Sequence, residues 1–209
     1  MTTDGTAEAG PPDDEATARP EYAERLTNLQ QAKWKRIVDV QAPYRRFLRR
    51  LDLGRTLDVG CGIGRNLDNL GGNAVGVDHN AEGVATCRAR GFEAYTVDEF
   101  LQSEAAAPAA YDAVLFAHVL EHMDRAAAVA LVQEYLPYLR RPGRLVLITP
   151  QERGFASDAT HVELMDCDTL ASIARECGFT VDRARSYPLP RFAGKWFTYN
   201  EFTVVATAR

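Results

Sequence analysis

The sequence predicts an α/β fold: a seven-stranded, mostly parallel sheet with helices on both faces and further helices ahead of it at the N-terminus. Three observations carry this. From residue 54 onward short apolar runs alternate with helical stretches, a turn with glycine at alternate positions follows the first run, and an acid ends the second. Alternation of strand and helix packs helices over a parallel sheet through right-handed crossovers.

The first twenty residues hold Asp4, Glu8, Asp13, Asp14 and Glu15 against Arg19 alone, with nothing large and apolar after Met1. Such a stretch buries too little surface to offset its ordering entropy, so residues 1–20 read as a disordered acidic tail. They lack the basic start and apolar run of a signal peptide. Tyr22, Leu26, Leu29, Trp34, Ile37, Val38, Tyr44, Phe47 and Leu48 then recur mostly three or four apart, interrupted by Pro43, which predicts one or two helices over residues 21–53. The core expected over 54–209 has strands at 56–59, 74–77, 94–97, 113–117, 144–149, 180–186 and 202–207. Helices fill 65–70, 81–90, 125–139 and 168–177. With 209 residues and 46% hydrophobic content, residues 21–209 make one domain of ordinary size.

The formal net charge is -5, and the tail carries -4 of it. The folded part is thus nearly neutral and lacks the basic excess that displaces counterions from nucleic acid. The most apolar stretch, 105–120, is broken by Pro108, Asp112 and His118, so no membrane span is expected. Cys61, Cys87, Cys167 and Cys177 show no close-paired metal spacing and read as reduced thiols in a cytoplasmic protein.

In sheets of this kind ligands bind beyond the carboxyl ends of the strands, where the strand order reverses. The segments to search are therefore 60–66, 78–80, 98–100, 117–122 and 150–161. The first is Asp58-Val59-Gly60-Cys61-Gly62-Ile63-Gly64-Arg65-Asn66, where glycines permit a tight turn and a close approach of backbone to ligand. A helix starting there favours a carboxylate. Asp78, eighteen residues after Gly60, can accept hydrogen bonds from both hydroxyls of a ribose. Together these point to a nucleoside cofactor. The spacing G-x-G-x-G differs from the dinucleotide fingerprint G-x-G-x-x-G.

This stretch resembles the first motif of class I S-adenosylmethionine-dependent methyltransferases, in the form Asp-Val-Gly-Cys-Gly-x-Gly, and the resemblance runs from Leu57 to Thr207. It implies that family's Rossmann-like fold, S-adenosyl-L-methionine as cofactor, and N-terminal helices that form a lid. By the same resemblance Gly60, Cys61, Gly62, Gly64 and Asn66 line the methionine half, while Asp78, His79 and Asn80 hold the ribose. Asp98, Glu99 and Phe100 lie near the adenine, and Ala117 ends the fourth strand beside the cofactor. Cys61 reads as a small residue filling the turn. Asp98 is equally explained as a helix N-cap.

Methyl transfer from a sulfonium is an in-line displacement, so the protein must align the acceptor and make it nucleophilic. An alcohol needs a base or a metal to take its proton. The catalytic candidates are His118, Glu121 and His122 at the fourth strand tip and His161 after the fifth. Asp-Pro-Pro-Tyr and Asn-Pro-Pro-Tyr, the marks of nucleobase N-methylation, are absent from that tip. Glu121-His122 with a distal His161 is similar to the small-RNA 2′-hydroxyl methyltransferases, where Glu-x-x-Glu-His and a distal histidine hold a divalent metal. Glu-His at this place also recurs in ubiquinone-pathway O-methyltransferases. This sequence departs from the metal pattern, because His118 replaces the first glutamate. The metal candidates are Glu121, His122, Asp158 and His161 with Mg or Mn, and a site richer in nitrogen suits Mn, Fe or Zn better than Mg. A metal-free base among the three histidines and a purely structural Glu-His pair stay open.

The aromatic segment 187–200 reads either as an acceptor wall or as packing at the sheet edge or a dimer contact. In the first reading Trp196 or Tyr199 stacks on a sugar and Arg191 or Lys195 binds an anion. Residues 151–161 and 197–202 resemble actinobacterial small-molecule and sugar O-methyltransferases, including the family acting in the methylmannose polysaccharide pathway. The leading expectation is methyl transfer to a hydroxyl of a small molecule, a saccharide, with no nucleic-acid or membrane partner and a homodimer left open. Alternatives are a carboxylate, amine or ring-carbon acceptor, a non-catalytic cofactor-binding partner subunit, and a dehydrogenase, which stabilisation by NAD would reveal.

Overall fold

A computed structural model describes residues 42–208. The tail expected over 1–20 and the helical stretch over 21–41, with Trp34, lie outside the described residues. The chain runs α1 (Ala42–Leu51), β1 (Thr56–Val59), α2 (Arg65–Asn69), β2 (Ala74–Asp78), α3 (Ala81–Ala89), β3 (Ala94–Thr96), α4 (Val97–Leu101) and β4 (Tyr111–Ala117). It continues through α5 (Arg125–Tyr135), β5 (Leu139–Pro150), α6 (Glu152–Phe155), α7 (Cys167–Glu176), β6 (Thr180–Tyr187) and β7 (Glu201–Ala208). One sheet of order β3-β2-β1-β4-β5-β7-β6 results. β1 to β5 pair in parallel, and β7 is antiparallel to both β5 and β6.

Every residue of β1 and β2 is buried, as strands covered on both faces require. In β4 and β5 the two faces alternate. Val114, Phe116, Leu145 and Leu147 join the core with Phe100 of α4, Val132 of α5 and Leu170 of α7. Ala113, Leu115, Ala117, Val146 and Ile148, with Val205 of β7, meet Tyr44, Phe47 and Leu48 of α1 on the opposite face. α2 and α3 cover that same face further along, through Leu67, Val84 and Cys87. The Tyr187 hydroxyl donates to the Pro43 carbonyl (2.8 Å), and its ring stacks on Phe47, which ties α1 to β6.

Several elements depart from expectation. The helix expected over 125–139 ends at Tyr135, because Pro137 lacks the N–H a further turn needs and the chain tightens into a 3₁₀ turn over Leu136–Tyr138. The third strand stops at Thr96 rather than residue 97. Thr96 and Glu99 form a reciprocal capping box that starts α4, a helix the alternating pattern did not mark. α6 was also unmarked, being a single turn. No helix among the described residues is long and apolar enough to cross a membrane. The carboxyl ends of β1, β2, β4 and β5 share one edge of the sheet, and the order reverses between β1 and β4.

Candidate active site

The turn after β1 is fastened to β2 and to the acid beyond it. The N–H groups of Gly60 and Cys61 both donate to the Val77 carbonyl (2.8 and 3.1 Å), and the Gly62 N–H donates to Asp78 Oδ2 (2.7 Å). Gly60 has φ of 74°, and a Cβ on it would lie 2.2 Å from Val119 Cγ2, so neither the conformation nor the space admits another residue. Asp78 Oδ1 accepts from the Asn80 N–H (2.8 Å). Each carboxylate oxygen has thus taken one backbone donor and keeps an acceptor direction for a ligand hydroxyl.

Beneath this turn Asp58 is fully buried, with the Asn66 amide nitrogen 3.4 Å from its Oδ1. Its Oδ2 and the Asn66 Oδ1 have no hydrogen-bond partner among the described residues. Burial pushes the Asp58 carboxyl up to about 8, with the nearby Asp78 charge adding to it and the Asn66 contact opposing it. Two buried acceptors without donors fit a ligand that brings N–H groups, such as an ammonium.

The other cofactor candidates separate into ligand-facing and supporting groups. Cys61 is 4% exposed, and a Cβ on Gly76 would meet its sulfur at 2.6 Å, so Cys61 fills the turn. Asn80 caps α3, its side-chain oxygen accepting from the N–H groups of Glu82 and Gly83. His79 is half exposed with Nδ1 3.6 Å from Asp78 Oδ1. Near the expected adenine site only Asp98 stays at the surface without a structural task, since Thr96 is the N-cap. The side chains of Glu99 and Phe100 have structural partners: Glu99 pairs with Arg88 (2.6 Å) and closes the capping box. Phe100 is fully buried against Tyr95, Tyr135 and Tyr138. The side chain of Ala117 likewise faces the α1 core.

The acceptor candidates gather where β4 ends. The loop after β5 is strapped to the β4 tip by the Val162 and Glu163 N–H groups, which donate to the Glu121 carbonyl (2.8 and 3.3 Å). This brings His161 beside His122, with ring centroids 4.9 Å apart. Ligand atoms of Glu121, His122 and His161 all lie within 4.8 Å of one another. Each histidine has its Nδ1 at a backbone carbonyl, Thr160 for His122 (3.2 Å) and Phe155 for His161 (2.7 Å). Donation from Nδ1 leaves the Nε2 lone pair of each ring available. Burial lowers the His122 pKa, and the neighbouring His161 adds to this against Glu121, so His122 is neutral at neutral pH. Glu121 is fully buried, and neither of its oxygens has a well-aligned hydrogen bond.

His118 and Asp158 do not take the roles expected of them. His118 sits at φ of 62°, an uncommon conformation for a residue with a side chain, with Nε2 2.9 Å from Glu201 Oε1 and Nδ1 3.3 Å from Glu121 Oε1. Burial alone would lower its pKa, but the contacts with the carboxylates of Glu121 and Glu201 outweigh that and raise it to about 10. With one ring nitrogen turned to each, His118 tethers the two carboxylates. Asp158 stands outside the cluster: its Oδ1 accepts from the N–H and hydroxyl of Thr160, the residue that holds His122.

In the aromatic segment, Arg191 is bound to Glu152 and covers Phe202, so it is not available to an anion. Trp196 (73% exposed) and Phe192 (63%) pair edge to face with each other at the surface. Sequence reasoning overlooked Tyr44 and Glu201. Tyr44 fits the apolar helical pattern, and nothing along the chain shows that its hydroxyl ends buried and unpaired. A lone acid opening the apolar run 202–206 was the available signal for Glu201.

Residues 29–184 match a family model described as a methyltransferase domain. No curated protein sequence matches the chain. Among solved structures, an S-adenosylmethionine-dependent methyltransferase from Archaeoglobus fulgidus has a TM-score of 0.62 at 19% identity, covering 78% of this chain and 92% of that one. Magnesium protoporphyrin IX methyltransferase from Synechocystis, with bound S-adenosylhomocysteine, has a TM-score of 0.61 at 17% identity over 94% of this chain and 100% of that one. A Haloferax volcanii protein in complex with the Trm112 methyltransferase activator has a TM-score of 0.66 at 15% identity, covering 90% and 94%.

Proposed function

The chain belongs to the methyltransferase domain family, and on that premise we propose that it moves the methyl group of S-adenosylmethionine onto a hydroxyl of a small molecule, a saccharide. One observation carries the hydroxyl assignment: the buried Glu121 carboxylate and two histidines with available Nε2 atoms converge at the β4 tip. An amine, once deprotonated, needs no such machinery. A hydroxyl does, because its proton must be removed for the oxygen to attack.

The donor fits the residues at the other half of the site. Asp78 offers an acceptor direction on each oxygen to the ribose hydroxyls, and the buried, unpartnered oxygens of Asp58 and Asn66 suit the ammonium of the methionine half. When bound, the cofactor supplies a methyl group already activated by sulfonium charge. The residues of the chain then align the acceptor over β4 and deprotonate it.

A divalent cation fits the donor set of Glu121, His122 and His161, two imidazoles and one carboxylate, which suits Mn, Fe or Zn better than Mg. Histidines oriented by backbone carbonyls are the usual outer support of metal ligands. A cation held there would lower the pKa of an acceptor hydroxyl and offset the charge of Glu121. Exhaustive chelation is expected to lower activity at least tenfold and Mn to restore it. Full activity after chelation would assign deprotonation to a metal-free histidine. For the reaction class itself, S-adenosylhomocysteine release is expected with sugars and not with amines, and the reverse pattern would refute the proposal.

The Asp58 carboxyl gives the cofactor site a pH dependence. It is largely protonated in the free protein at pH 7, and pairing with an ammonium favours the carboxylate, so binding expels a proton. By linkage, S-adenosylhomocysteine affinity should rise by up to about tenfold per pH unit from pH 6 toward 8 and then level off. Calorimetry across that range checks this. A flat profile in the wild type, or an undiminished slope in Asp58→Asn, would remove Asp58 from the site.

A further inference from the structure

Two buried polar atoms near the acceptor site have no role in the chemistry above. Among the described residues the Tyr44 hydroxyl and Glu201 Oε2 have no hydrogen-bond partner, although Tyr44 is 6% exposed and Glu201 9%. Native proteins rarely bury such groups unsatisfied, and a bound ligand hydroxyl is one partner that suits each. Burial raises the Tyr44 phenol well above its ordinary value, and the charges of Glu201, Asp58 and Glu121 add to this against Arg65, so the hydroxyl stays protonated.

Their place in the fold shows which half of the site they serve. The glycine turn lies at the tip of β1, and β7, which Glu201 opens, is three strands away, roughly 14 Å across the sheet. From there the Glu201 side chain reaches His118, just beyond β4. Tyr44 projects from α1, which packs on β4, β5 and β7. Both therefore border the acceptor side. Glu201 is also rigidly held. The Gln151 amide donates to its carbonyl (3.0 Å), Asn200 donates to Gln151 Oε1 (3.0 Å), and His118 fixes its other carboxylate oxygen.

A buried phenol and a buried carboxylate suit a neutral group that both donates and accepts, and a hydroxyl is such a group. We propose that the Tyr44 hydroxyl and Glu201 Oε2 form a subsite for a second hydroxyl of the acceptor, so that this chain selects polyols over mono-alcohols. This inference rests on the hydroxyl-transfer reading and names the acceptor class within it.

The test uses the full chain with S-adenosylmethionine and acceptor pairs that differ by one neighbouring hydroxyl. Suitable pairs are methyl hexopyranosides against their singly deoxygenated counterparts, and a cyclic vicinal diol against the matching mono-alcohol. A site built to bond a hydroxyl rejects the analogue lacking it, so the wild type is expected to prefer the polyol of each pair by about 100-fold or more in kcat/KM. Tyr44→Phe, which deletes one oxygen and no existing hydrogen bond, and Glu201→Gln should each reduce that preference at least tenfold, mainly through KM. Affinity for S-adenosylhomocysteine should change by no more than twofold in either variant. Equal use of polyol and mono-alcohol by the wild type would overturn the subsite while leaving hydroxyl transfer intact. So would undiminished preference in both variants, or a loss of S-adenosylhomocysteine affinity that matches the loss of activity. A chain that methylates no hydroxyl compound of the panel would overturn both readings together.

Discussion

Replacing His161 with Ala is expected to cut turnover about 1000-fold while S-adenosylhomocysteine affinity stays within about twofold, because a positioned acid–base group contributes 10²–10⁴ to rate. The ring is built for one orientation. Its Nδ1 lies 2.7 Å from the Phe155 carbonyl, its face stacks on Phe155 at 5.1 Å, and the loop bearing it is pinned to the Glu121 carbonyl. Whether the Nε2 lone pair takes a proton directly or helps to hold a cation, its loss removes activation of the acceptor and touches nothing in the glycine turn. Turnover measured by S-adenosylhomocysteine release and affinity measured by calorimetry separate the two effects. Unchanged turnover would exclude His161 from the reaction.

Asp78→Ala has the second-largest expected effect and falls on the other half of the site. On the ribose role proposed for Asp78, the substitution removes two charge-assisted hydrogen bonds to the ligand, and it also removes the anchor of the Gly62 and Asn80 N–H groups. At about 1.5–3 kcal/mol for each bond to a charged group, S-adenosylhomocysteine should bind at least 100-fold more weakly. The fold should survive, since Asp78 closes β2 at the sheet edge and the Gly60 and Cys61 bonds to Val77 remain. Retained affinity would refute the ribose assignment.

Much of the fold was legible because parallel strands buried on both faces leave uniform apolar runs, and the helices between them begin at capping residues such as Asn80, Asp124 and Asp166. The elements that escaped are short ones set by single hydrogen bonds, such as α4, whose start depends on the reciprocal Thr96–Glu99 pair. The glycine turn with Asp78 was readable for the same local reason: its residues are near in sequence and their spacing encodes the turn. The acceptor side is assembled from residues far apart in the chain. That His118 lies between Glu121 and Glu201, separated from the latter by 83 positions, depends on β7 running beside β5, and spacing along the chain could not show that its ring is held by two carboxylates. Asp158 was misread in a similar way. Its partner is Thr160, two residues away, and the preference of a short acid for such a local turn competes with any ligand role.

Where the methyl group finishes tests the account most directly. The full-length protein would be incubated with donor labelled at the methyl carbon with ¹³C, together with a mixture of sugars, amines and carboxylic acids, and the product read by carbon NMR. The account predicts a methyl ether on a sugar carbon, formed by the wild type and absent with His161→Ala. A methylamine, a methyl ester or a carbon-bound methyl as the sole product would contradict it.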